Sequence, residues 1–448
     1  MSIRSSENFS VSAINRTNDN NFSFKNGSST IRWDFSNMNK FLDCSSLRLM
    51  GQIRVLNGDG TARPQNPETG PAGTLSEIKM NDRCSAQTLV KDVQVLGGNG
   101  QTIENPRNFG RLNATRLPSL NSIYDYYSVM NFTHGSYGQT LIQGRADNLD
   151  KDVCVPLNVG YFTSNGVVNL ASTNGLSIVL TLQSNVATLF GANAGDNGGA
   201  EIVLVNPVLQ GRFLIPDQEA SESGSSPYKS YTSMFSVENS ADETHGLNLG
   251  LSSVVSVYEN TLPVEQLNNF GFDSFATPTF LNKDGPAGTN YDWKAPVNES
   301  AYYKGGVDYP LQSRIDELRL NDATGDPVTS NAYANVSFDA ERQFYFMDAV
   351  KSYRSTAHIL TGPATEGIPD GEAWENKERY ADWKKNNFGL GVRYDMLNSG
   401  SSTADFSSSP FSTRIQNTLD GKSANALYHF FVNNAMVNYG RGQVSVSV

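Results

Sequence analysis

Few residues of the chemically active types occur in this chain, and none stands in a working pattern. The 4 histidines, His134, His245, His358 and His429, are scattered. None forms HxH, HxxxH or HExxH, the spacings that bring two imidazoles to one metal. Cys44, Cys84 and Cys154 contain no CxxC pair. Their odd number fits buried free thiols in a reducing compartment. Gly421-Lys422-Ser423 ends like a phosphate-binding loop, but Gln416 stands where the first glycine is needed and the context is strand-like. Gly98-Asn99-Gly100 and Gly389-Leu390-Gly391 begin like a dinucleotide fingerprint, and Ile103 and Tyr394 break it. No GxSxG elbow is present. Adjacent acids such as Asp316-Glu317 could act as general acid and base, although exposed charges at a strand end are the commoner origin of such a pair. The sequence therefore offers no catalytic, cofactor-binding or metal-ligating residue and implies no cofactor. A protein that is not an enzyme is expected.

The elements that would position any site are strands. Hydrophobic residues make up 38% and charged residues only 18%, so Asn, Ser, Thr, Gln and Gly carry the polarity. That mixture suits turns and exposed strand faces rather than long helices. No 18-residue apolar run suggests a membrane-spanning helix, and MSIRSSENFS lacks the apolar core of a signal peptide. Asn113, Asn131 and Asn335 begin glycosylation-type triplets, which chance explains in so Asn- and Ser-rich a chain. A net charge of -11 without a Lys/Arg block argues against sequence-specific nucleic acid as a partner. The 19 Tyr and 23 Phe include clusters at Tyr124–Tyr127, Tyr302-Tyr303 and Phe344–Phe346. These could stack sugars or bases; packing and protein–protein contact are the plainer reading.

Along the chain, residues 1–29 read as a flexible N-terminal arm, either solvated or ordered against a neighbour. Residues 30–215 hold period-two runs: Ile31/Trp33/Phe35, Leu47/Leu49, Ile53/Val55, then KDVCVP, LSIVLTL and VLQGRFLIP. The stretch 105–131 is the best helical candidate, with Ser119 or Asn121 as cap. Residues 216–245, Ser- and Glu-rich, read as a linker. Residues 246–448 hold a second strand set, including QFYFM at 343–347, FGLGVRY, STRIQNT, LYHFFV and VSVSV, with a possible short helix around Trp374–Trp383. Long polar segments at 61–85, 283–311 and 361–386 read as loops. One pattern recurs: VKDVQVLGGNG (90–100) and IDELRLNDATG (315–325) match at Val90/Ile315, Val93/Leu318, Val95/Leu320 and Gly100/Gly325, a constant offset of 225. A unit built twice is one reading and coincidence the other. The fold class expected is all-β, two tandem eight-stranded jelly rolls with long loops and a few short helices.

The order of these pieces resembles the double jelly-roll major capsid proteins of adenovirus-, polinton- and virophage-like DNA viruses. NKFLDCSSLRLMGQIRVLNGDG, with Leu42-Asp43, is similar to that family's opening strands. TLVKDVQVLGGNGQTIE, LPSLNSIYDYYSVMN and VLQGRFLIP follow in the family's order. SSVVSVYENTLPVEQLNNFGFDSFAT, RIDELRLNDATGDPV and LYHFFVNNAMVNYGRGQVSV resemble the second barrel. The segments 283–311 and 361–386 depart from the pattern as insertions. The resemblance implies a viral structural protein, a homotrimer forming a pseudo-hexagonal capsomer of an icosahedral capsid. It implies capsomer–capsomer contacts, penton and minor or cement capsid proteins as partners, and contact with an internal membrane where one exists. It also implies location in the virion after synthesis and assembly inside the host cell. Two other readings stay open: a carbohydrate- or receptor-binding β-sandwich protein, fibre or lectin-like, and a β-sandwich hydrolase.

Overall fold

The computed structural model describes residues 3–13, 21–23, 29–56, 89–113, 150–183, 201–218, 223–238, 244–263, 315–321, 338–339, 390–393, 403–408, 411–417, 425–440 and 442–448. The N-terminal half carries β1 (Ile3–Ser12), β2 (Asn21–Ser23), β3 (Thr30–Phe35), β4 (Phe41–Leu56), β5 (Val90–Gly97), β6 (Thr102–Glu104), β7 (Asp150–Pro156), β8 (Val167–Asn169), β9 (Leu176–Leu182) and β10 (Glu201–Pro216). One short helix, α1 (Gly160–Asn165), lies between β7 and β8. The C-terminal half carries β11 (Gly224–Glu238), β12 (Thr244–Leu247), β13 (Val254–Pro263), β14 (Ile315–Asn321), β15 (Phe338–Asp339), β16 (Leu390–Arg393), β17 (Phe411–Asn417), β18 (Asn425–Gly440) and β19 (Gln443–Ser447).

The same strand plan appears twice. In the N-terminal half a sheet of order β1-β10-β4-β7, with β2 and β8 added, faces one of order β3-β9-β5-β6. In the C-terminal half the orders are β11-β18-β13-β16, with β19 added, and β12-β17-β14-β15. Position for position the two sets agree, in sheet order and in chain order alike. Each is an eight-stranded jelly roll, the double jelly roll that the sequence suggested. The repeated motif falls on β5 and β14, third in their sheets in both barrels, so it marks equivalent strands. Among the described residues no strand before Pro216 pairs with a strand after it.

Alternation explains why these segments pair as they do. Ile31, Trp33 and Phe35 turn inward while Thr30, Arg32 and Asp34 turn out. Val93 and Val95 of β5 and Leu176, Ile178, Leu180 and Leu182 of β9 meet Leu42, Leu49, Ile53, Val153 and Val155 of the facing sheet in one core. In the second barrel Phe411 of β17 packs edge-on to Phe431 of β18, ring centroids 4.9 Å apart. Between Asp43 and Arg48 the register of β4 on β10 shifts. Buried Asp43 accepts the Ser45 hydroxyl at 2.6 Å and Arg212 Nε at 3.0 Å. Burial alone would raise its pKa, but those hydrogen bonds and the Arg212 charge outweigh it and hold it below the ordinary value.

Two expectations need correction, and they concern the same element. The expected flexible arm contains β1, paired with β10 from Ile3↔Pro216 to Ser12↔Val208. The expected linker contains β11, paired with β18 along its whole length, and the start of β12. Both β1 and β11 are first strands of their barrels. Their polar composition hides them because few side chains of either enter a core. In β1 only Phe9 and Val11 are even half-buried. Phe9 stacks on Phe213 at 4.3 Å and meets Phe35 at 5.4 Å. Trp33 Nε1 donates to the Val11 carbonyl at 3.0 Å. Backbone pairing and a few anchors make these strands, not apolar alternation. The Ser119/Asn121 helix, the 343–347 strand, the Trp374–Trp383 helix and the three long loops lie outside the described residues.

Leu56 at the end of β4 lies opposite Glu201 at the start of β10, and Arg54 opposite Asp150 at the start of β7. In the second barrel Glu238 and Pro263 both lie opposite Asn425. The longest connections of each barrel therefore attach at one end, and α1 and the tight Gly98–Gln101 turn lie at the other.

Trp33→Phe keeps a ring in the core and removes the donor to Val11. Chemical denaturation should show a loss of about 1 kcal/mol. Amide exchange should quicken in residues 3–12 while 176–182 keep their protection.

Candidate functional site: the seam between the barrels

The chemically capable residues are not brought together. His429 lies buried beside Phe411 and Phe431, with ring centroids 5.9 and 6.3 Å away. His245 is in β12; His134 and His358 lie outside the described residues. Cys44 is buried and Cys154 half-buried, both as free thiols, and burial pushes both thiols up. Cys84, Gly421-Lys422-Ser423 and the Tyr124, Tyr302 and Phe344 clusters lie outside the described residues. Asp316-Glu317 lies at the start of β14, where its register on β17 shifts. Asn113 is buried, where no glycan fits. Among the described residues no group of three His, Cys, Asp or Glu could hold a metal ion.

The polar side chains that do converge lie where the second barrel meets the first. α1 begins at Val159, whose side chain makes no capping bond. A helix start leaves backbone N–H groups unpaired, and Glu104 at the end of β6 supplies the acceptor. Its Oε1 accepts Gly160 N at 3.1 Å and its Oε2 accepts Tyr161 N at 2.7 Å. The same Oε1 accepts Tyr231 N of β11 at 2.9 Å. One buried carboxylate thus caps a helix of the first barrel and an edge strand of the second. Next to it Lys229 N donates to Ser164 Oγ at 3.0 Å. The strand lies so close that a Cβ on Gly160 would fall 1.8 Å from the Lys229 carbonyl oxygen.

Aromatic side chains fill the space around this carboxylate. Tyr228 Oη donates to the Ile103 carbonyl at 2.5 Å, and its ring meets Tyr161 edge-on at 5.2 Å. The Tyr161 and Tyr439 hydroxyls share a hydrogen bond of 2.8 Å. Burial pushes all three phenols above the ordinary tyrosine value; the Tyr439 hydroxyl raises Tyr161 further, and the Glu104 charge raises Tyr228 further. Tyr228, Ala435, Val437 and Val444 join the first barrel's core. Leu112, from a helical turn at 109–113, packs with Tyr231, Tyr428, Phe430 and Val432, and the Arg111 guanidinium lies 3.6 Å from the centre of the Tyr428 ring. At the far side the Gly98–Gln101 turn grips β19: Asn99 Nδ2 donates to Gln443 Oε1 at 3.2 Å and to the Val444 carbonyl at 3.3 Å. This arrangement binds one barrel to the other; it holds no nucleophile–base pair.

Sequence reasoning passed over Glu104, Tyr161, Tyr228 and Tyr439. A Glu directly after a strand and single Tyr residues carry no spacing signal, and only the fold brings them together. The Asn99-Gly100 turn was visible, as a turn and not as a clasp.

No protein-family model and no curated protein matches the chain. Solved structures do. The chain is similar to the PBCV-1 virus capsid protein at TM-score 0.56 and 11% identity, covering 99% of this chain and 97% of that one. It is similar to the Faustovirus major capsid protein at 0.53 and 9%, covering 97% and 91%. It is similar to the mavirus major capsid protein at 0.50 and 11%, covering 98% and 90%. At these identities the likeness is one of fold: those proteins are double jelly rolls, and so is this chain.

Glu104→Ala would strand three buried N–H groups at about 1–3 kcal/mol each. Denaturation should show a loss of about 3 kcal/mol or more, and protease should cut at 217–223 far faster. The raised phenols add a pH dependence. A folded pKa above the unfolded one gives stability that is complete below about pH 10 and is lost as pH rises from there. Melting measured from pH 8 to 11 should fall at the alkaline end, and the triple variant Tyr161→Phe, Tyr228→Phe, Tyr439→Phe should flatten that fall.

Proposed function

We propose that this chain is a viral major capsid protein whose homotrimers form pseudo-hexagonal capsomers that tile an icosahedral shell. The observation that carries the reading is one strand plan used twice, with the two barrels fixed side by side by a hydrogen-bonded seam that buries the Glu104 carboxylate. Two similar barrels in each of three chains make six similar walls, and a six-walled tile packs into a hexagonal sheet. Full-length likeness of fold to solved capsid proteins supports the same reading. The first barrel is the unit from β1 to β10 and the second the unit from β11 to β19, joined through 217–223. The protein acts by assembly, not catalysis. Its partners are its own copies, first within the trimer and then between capsomers, together with penton and minor or cement proteins. It takes no sequence-specific nucleic acid, and it touches an internal membrane where the virion has one. It is made and assembled inside the host cell and works in the virion.

Native mass measurement of the purified chain should give a trimer, and electron microscopy should show hexagonal tiles or shells. A chain that stays monomeric at high concentration and binds glycans on an array would overturn this reading in favour of the carbohydrate-binding one.

A further inference from the structure

Among the described residues Asn is followed by Gly at Asn99, Asn165 and Asn174. Such a pair is chemically labile. The backbone nitrogen of the glycine can attack the side-chain carbonyl carbon of the asparagine, and glycine, without a Cβ, leaves the approach open. A C–N bond closes a five-membered imide, the glycine N–H proton goes to solvent, and the asparagine Nδ2 leaves as ammonia. Water then opens the imide to aspartate, or to isoaspartate, whose main chain runs through the former side chain. The reaction consumes only water, and none of the three asparagines is buried.

The fold opposes that attack at each pair. Gly100 N donates to the Gly97 carbonyl at 2.9 Å, Gly166 N to the Phe162 carbonyl at 3.2 Å and Gly175 N to the Leu170 carbonyl at 2.8 Å. Each nitrogen and its proton are thereby held back from attack. The asparagine side chains are held as well, but not by the same barrel. Asn174 Oδ1 accepts Asn37 Nδ2 at 3.1 Å, within the first barrel. Asn165 Nδ2 donates to the Tyr161 carbonyl of its own helix at 2.9 Å, and its Oδ1 accepts the Ser226 hydroxyl of β11. Asn99 Oδ1 accepts Gln101 N at 3.3 Å, inside the turn. Both acceptors of its Nδ2, Gln443 Oε1 and the Val444 carbonyl, belong to β19 of the second barrel.

We infer that Asn99 is a modification site that the docked second barrel keeps silent: when the seam opens, Asn99 loses the two acceptors that hold its amide and deamidates, and the product cannot clasp β19 again. A carboxylate at position 99 has no proton to give the Val444 carbonyl, which can only accept. Two oxygens then face each other where a hydrogen bond stood. Isoaspartate also adds a methylene to the main chain of the tight Gly98–Gln101 turn and moves the side chain off its place. Asn165 reacts less readily, since one of its bonds stays within α1. Asn174 is held from the first barrel alone and is unaffected by opening. Seam opening, reversible in itself, thereby becomes permanent and leaves a covalent mark. The protection belongs to the single chain, assembled or not.

Peptide mass spectrometry of the intact chain, aged at mildly alkaline pH, is the test. In strong denaturant all three pairs should deamidate at similar rates, and in buffer all three should be slow. In Glu104→Ala, whose seam is weakened, Asn99 should deamidate about tenfold faster than in the unaltered chain while Asn174 changes less than about twofold, because local opening frees only the clasp. An Asn99 that reacts as fast in the folded chain as in denaturant, or that keeps pace with Asn174 in the variant, would overturn the inference. Should the variant fail to fold, the unaltered chain in graded urea below its unfolding transition decides: Asn99 runs ahead of Asn174 there, and equal rates overturn the inference. Asn99→Asp supplies one product directly. Its amides at 443–447 should exchange about tenfold faster, with those at 176–182 unchanged. Unaltered exchange at 443–447 would show that the carboxylate still clasps β19 and would overturn the permanent opening.

Discussion

An edge strand placed against another domain must find partners for the outward N–H groups that the contact buries. β11 is such a strand, and the Glu104 carboxylate is the answer. Two further features follow from that one contact. α1 has no cap of its own and depends on the same carboxylate. The residue at the start of α1 must be glycine, since nothing larger fits under the Lys229 carbonyl. The tyrosines then close the space around a buried charge without adding another charge. The relative placement of the barrels is therefore set by directional bonds as well as by apolar contact. Directional bonds fix an angle, which apolar contact alone leaves loose.

Strands whose side chains alternate into a core were legible in the sequence: β3, β5, β7 and β9 lie where period-two apolar runs lie. Long strands read as broken ones, because the bulge at Asp43–Arg48 and the register shift near Asn206 interrupt the alternation of β4 and β10 without ending the ladder. The repeat at offset 225 was visible because both of its copies are the third strand of their sheets.

What stayed hidden was whatever backbone pairing makes without apolar side chains. β1 and β11 read as an arm and a linker for the same reason, since both are first strands at sheet edges. The seam was hidden too. Its residues come from β6, α1, β11, β18 and β19, and no short window of sequence contains two of the partners. A single buried glutamate looks like any surface glutamate until the fold surrounds it.

The attachment of the long connections at one end of each barrel has an evolutionary consequence. Length can be gained or lost there without moving the clasp of Asn99, α1 and β19, which lies at the other end. Selection on the length of those connections and selection on the clasp then act on separate stretches of the gene. Such a chain can change greatly in length while its two barrels keep their placement.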